Sequence, residues 1–95
     1  MNESSTNFAS VGATAVQIIP ADPRRMALVF FAAVAQRYTI SERPSPVLDS
    51  GITINSNSSP VVLRYDDVGN VIRKPWFAVA SGAGTNVAWI EVTGP

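Results

Sequence analysis

The sequence predicts an all-β fold, a small β-sandwich or jelly-roll-like domain of about six to eight antiparallel strands. Three observations carry that expectation. Apolar and polar residues alternate over short segments. Clusters of Gly, Pro, Ser and Asn interrupt those segments about every 8–12 residues. No convincing amphipathic helix, with a polar stripe opposite an apolar one, stands out.

The chain opens with Met1–Asn7, a polar segment that carries one acid and has no periodicity. That composition predicts a flexible N-terminal arm over residues 1–7, ahead of a single domain over residues 8–95. Fraying alone would account for such an arm. The functional alternative is a segment that orders on a neighbouring subunit, with Phe8 as its apolar anchor.

The stretch that organises the rest runs from Ala13 to Ala35. Thr14, Val16 and Ile18 are β-branched and spaced by two, the period of a strand with one face inward. Pro20 cannot donate to a ladder and biases Ile19 towards extended backbone, so this strand is expected to end there. Pro20-Ala21-Asp22-Pro23 then forms a tight corner, followed by the basic pair Arg24 and Arg25. From Met26 to Ala35 every residue is apolar. Asp22 as an N-cap, Pro23 at the first turn and four alanines keep a helix open. A strand buried on both faces, or one running into an interface, accounts better for a run with no polar stripe.

Further strands are expected over Gln36–Ser41, with Tyr38 and Ile40 on one side and Arg37 and Thr39 on the other, and over Gly51–Asn55, Val61–Asp66, Trp76–Ala80 and Asn86–Thr93. Pro44 and Pro46 break the chain between the first two, making Glu42–Ser50 an exposed loop. Ser56–Pro60 is a polar turn cluster. Its Asn57-Ser58-Ser59 formally matches a glycosylation sequon but is explained by turn chemistry. Asp66-Asp67 lacks the spaced acids and glycine of a calcium loop and is expected as a solvated turn leading to Gly69-Asn70. Val71–Lys74 would extend a hairpin. Ser81–Thr85, with two glycines, reads as a second hairpin loop.

The totals exclude several function classes. A chain of 95 residues is one domain. The absence of His and Cys removes thiolate nucleophiles, disulfides, the common zinc ligands and the usual neutral-pH proton shuttle. Seven basic and seven acidic residues give zero formal charge, so neither nucleic acid nor an anionic membrane is an expected partner. No segment approaches the roughly 20 apolar residues that span a bilayer, and the first residues lack the pattern of a signal peptide. No cofactor or metal is expected. An enzyme would have to use Glu42, Asp49, Asp66, Asp67 or Glu91 with Lys74 or an arginine, and their spacing brings no two to one site. At 46% apolar and 15% charged, the chain carries fewer charges than the roughly 25% of an average soluble domain. A Ser/Thr/Asn-rich surface explains that; so does a surface covered by a partner.

The order T-x-V-Q-I-I-P-A-D-P-R-R-x-x-L-V-F from Thr14 and W-F-A-V-A-S-G-A-G-T-N-V-x-W-I-E-V from Trp76 resembles a group of small β-sandwich proteins and domains of tailed bacteriophage virions. The resemblance covers roughly residues 11–28 and 76–92. Phe30-Phe31-Ala32-Ala33 departs from the polar continuation of that group. The resemblance implies a head decoration, cement or fibre-base component: a virion protein made in the host bacterial cytoplasm, bound to the major capsid protein at the capsid surface and self-associated as a trimer or dimer. The expected contact residues are Phe8, Arg24, Arg25 and Trp76. The alternative is a tail- or fibre-associated carbohydrate-binding module, with Trp76, Tyr38 or Trp89 stacking on sugar rings.

Overall fold

A computed structural model describes residues 3–57 and 59–94. Eight strands form two four-stranded antiparallel sheets: β1 (Glu3–Val11), β2 (Val16–Ile19), β3 (Arg25–Phe30), β4 (Tyr38–Ser41), β5 (Ile52–Ile54), β6 (Val61–Arg64), β7 (Trp76–Ala80) and β8 (Thr85–Thr93). One sheet has the order β1-β8-β3-β6 and the other β2-β7-β4-β5. The all-β, sandwich-like expectation therefore holds.

The apolar run from Met26 resolves into strand followed by loop. Leu28 and Phe30 point inward and are fully buried, and the strand ends at Phe30. Beyond it the chain bends, Val34 stands 93% exposed, and Ala35 takes a left-handed φ of 60°. The rings of Trp76 and Trp89 lie 6.3 and 6.5 Å from that of Phe30 in tilted arrangements. Three aromatic residues from both sheets thus form the centre of the core, a geometry favoured by the ring quadrupoles. Burial raises the pKa of the Tyr38 hydroxyl, which donates to the Phe31 carbonyl from inside the core.

Four expectations are corrected. The arm prediction fails over residues 3–7, which pair in unbroken register from Glu3 against Thr93 to Asn7 against Trp89; Met1 and Asn2 lie outside the described residues. Backbone pairing with a long partner strand needs no apolar periodicity, so a polar segment can take it up. The inward face implied by Thr14, Val16 and Ile18 is not the one used: Thr14 and Val16 are exposed, and past a register shift between Gln17 and Ile19 it is Ile19 that is buried. Residues 65–74 form no hairpin. Tyr65–Val68 make one helical turn, α1, and Gly69–Arg73 a 3₁₀ turn that buries Ile72. Asp66 and Asp67 occupy the first turn of α1, where the helix dipole favours acids, and Gly69, at φ 63°, ends it. Finally, Ser81–Gly84 joins strands of different sheets. Gly84, at φ 69°, turns the chain across the sandwich. Of the sequon, Ser58 is outside the described residues.

Arg25 ties the sandwich together at one end. Its side chain is fully buried and pairs with Glu91 of β8 at 2.6 Å. Nη1 donates to the carbonyls of Ile72 (2.9 Å) and Lys74 (3.0 Å), and Nη2 to that of Pro20. The neighbouring backbone is bonded as well: Arg25 N to Asp22 O, Asp22 N to Arg73 O, and Gly94 N to Arg24 O. Arg73 donates back to Arg25 O and lies 4.1 Å over the Tyr65 ring. Replacing Arg25 would leave Glu91 and three carbonyls without their donor. Breaking a buried pair by removing one partner costs about 3–5 kcal/mol, and Glu91, with 19% of its side chain exposed, places this case near the lower end. Arg25→Met is therefore expected to lose about 3 kcal/mol in urea unfolding; a loss below about 1 kcal/mol would show that the cluster is not a structural tie.

Candidate binding surface

The β1-β8-β3-β6 sheet is apolar on both faces. Val87, Trp89, Leu28 and Phe30 point into the sandwich, so strand alternation turns Ala88, Ile90, Val92, Ala27 and Val29 outward. The registers align these in rows. Val62 faces Val29, Val29 faces Ile90, and Ile90 faces Thr6; beside that row lies Arg64-Ala27-Val92-Ser4, and at the other end Ala88 faces Phe8. Phe8 is 78% exposed and Val62 44%. Arg64 is the one charged residue among these outward positions. A hollow of about 200 Å³ next to it is lined by Met26, Ala27, Arg64, Tyr65, Asp66 and Val92. A second depression, about 410 Å³, lies at the other end of the domain between residues 32–36 and 83–86.

The four expected contact residues divide. Phe8 lies on this outer face, and Arg24 is at the surface with its Nε bonded to Gly94 O at 2.8 Å. They do not meet: Phe8 pairs opposite Ala88, whereas Arg24 lies level with Gly94, at least about 20 Å away at strand spacing. Arg25 and Trp76 are interior residues and are corrected as contacts, the first because its guanidinium is consumed by the Glu91 and carbonyl cluster, the second because its ring packs on Phe30. Trp76 Nε1 has no hydrogen-bond partner among the described residues. Trp76, Trp89 and Tyr38 are at most 5% exposed, so none of the three proposed sugar-stacking rings is open to a ligand. Ile90, Val29 and Val62 escaped the residue-level prediction. Their signal is the sequence A-W-I in β8, L-V-F in β3 and V-V-L in β6, where consecutive residues on both faces are apolar.

The carboxylates are spread out. Glu91 is held by Arg25, Asp49 by both Nε and Nη2 of Arg37 at 2.9 Å, and Glu42 lies 3.9 Å from Arg43. Among the described residues no three of His, Cys, Asp and Glu come together as a metal set, and no helix is long and apolar enough to cross a membrane. No family model, curated protein or solved structure matches the chain.

The Arg37–Asp49 pair closes the 42–50 loop over Thr39. Its hydrogen bond to Arg37 lowers the pKa of the Asp49 carboxyl below the ordinary 3.8. The pair's stabilisation is accordingly complete above that ordinary value and is lost as pH falls through the lower folded-state pKa. In a carboxyl ¹³C titration Asp49 is expected to titrate below the ordinary 3.8, and Arg37→Gln to raise it towards that value; titration at or above 3.8 in the unaltered protein would contradict the clasp.

Proposed function

We propose that this chain is a bacteriophage virion structural protein, a capsid decoration or cement protein that attaches to the head lattice and stabilises it. The observation that carries the reading is the nearly uncharged, apolar outer face formed by Phe8, Ala88, Ile90, Val29 and Val62. A small monomer has little reason to hold such a face in water, whereas an apolar centre with a polar rim suits a docking surface. The resemblance of the Thr14–Phe30 and Trp76–Val92 segments to phage β-sandwich components supplies the partner, the major capsid protein. Binding repeated over a lattice makes modest contacts strong in sum. This role needs a rigid module and no catalytic group.

Heads lacking the protein are the direct test. Purified protein is expected to rebind them at micromolar concentration and to raise their disruption temperature. Val62→Asp, at a half-exposed position of the outer face, should fold normally and weaken rebinding by about tenfold or more, the effect of about 1.4 kcal/mol. No rebinding by the unaltered protein, or unchanged rebinding by Val62→Asp, would overturn this function or this face respectively.

A further inference from the structure

The two sheets end in four edge strands, and three of them are protected. Strand β2 has four residues, a register shift between Gln17 and Ile19, and Pro20 at its end. Strand β5 has three residues. Strand β6 has four, begins after Pro60 and runs directly into α1. Short strands, bulges and prolines are the devices that keep an edge from pairing with another chain. Strand β1 has none of them. It is nine residues long, contains no proline or lysine, and keeps one unbroken register against β8. Among the described residues β8 is its single partner strand, which leaves a full row of backbone donors and acceptors along the outer side.

We propose that β1 is a pairing edge for a second copy of this chain: two β1 strands join antiparallel about a two-fold axis, fusing two four-stranded sheets into one continuous sheet. The residues of β1 favour a copy of itself over a foreign strand. A register centred on Asn7 keeps all nine residues paired, for roughly eight to ten main-chain hydrogen bonds. Glu3, the one charged residue of the strand, then faces Val11 of the second copy, and the two acids stand about 27 Å apart. Phe8 faces Thr6 of the second copy, and the two Phe8 rings become diagonal neighbours, a separation that aromatic side chains bridge. Its 78% exposure at an edge is thereby explained. The pairing also doubles the outer face without covering its Val29-Ile90 centre, so it is compatible with the capsid reading and does not rest on it.

Light scattering at tens of micromolar should give twice the chain mass of 10.1 kDa. The chain has no cysteine, so Asn7→Cys, placed on the axis, is expected to form a disulfide-linked dimer on mild oxidation, while Val62→Cys on the opposite edge strand is not. Phe8→Lys should keep the circular dichroism of the fold and weaken the dimer at least about tenfold. A monomer at about 100 µM, a trimer, or a dimer trapped through Val62→Cys and not through Asn7→Cys would overturn the proposal. A dimer that pairs as described but does not bind heads would leave this edge standing and remove the capsid reading.

Discussion

A buried guanidinium has to find a partner for each of its donors, and at Arg25 that requirement shapes one end of the molecule. A single side chain reaches Glu91 in β8, the Pro20 carbonyl at the end of β2, and the Ile72 and Lys74 carbonyls at the end of the 3₁₀ turn. None of these segments is adjacent to another in sequence. Their meeting at one planar, five-donor group fixes the corner where the chain crosses from one sheet to the other, and also the course of residues 65–74. The planar fork also explains why a lysine would not serve. An ammonium is a compact point charge and cannot hold the same spread of acceptors in fixed directions. Arg24 next to it performs a smaller task, bonding Gly94 O and so holding the end of β8.

With that end fixed, the remaining sandwich is closed by Phe30 and the two tryptophans, and its apolar content exceeds what the interior uses. Strands β3 and β8 have apolar side chains on both faces, yet only one face of their sheet is covered within the chain. The uncovered face and the unprotected β1 edge are adjoining parts of the same sheet. They offer two kinds of contact: side-chain burial over the face and main-chain hydrogen bonding along the edge.

Much of this architecture was legible in the sequence. The short apolar segments from Ile52, Val61 and Trp76 marked strands, and so did Val16–Ile19, although there a register shift buries Ile19 and leaves Val16 exposed, so the inward face was not legible. The continuous apolar run from Met26 marked a strand with two non-aqueous faces but could not say that one of them lies outside. Three features were hidden for definite reasons. A polar edge strand such as β1 is held by its backbone, which every sequence possesses. The Ser81–Gly84 connection spans the two layers, about 10 Å apart, with the same few flexible residues that a hairpin would use across about 4.8 Å. Arg25 reads as a surface residue because its compensating groups are mostly main-chain carbonyls, and carbonyls carry no sequence signal. The contact residues shared that fate: Phe8 was found as an exposed aromatic residue, whereas Arg25 and Trp76, residue types common at interfaces, were taken up by the interior.

The central claim, that a fully desolvated Arg25 organises the fold, is tested most directly by ¹⁵N-detected NMR of the arginine side chains. The account predicts that the Arg25 Nε–H resonance is resolved at neutral pH and protected from solvent exchange, while that of Arg43, whose side chain is 87% exposed, exchanges rapidly. An Arg25 Nε–H that exchanges as fast as that of Arg43 would contradict it.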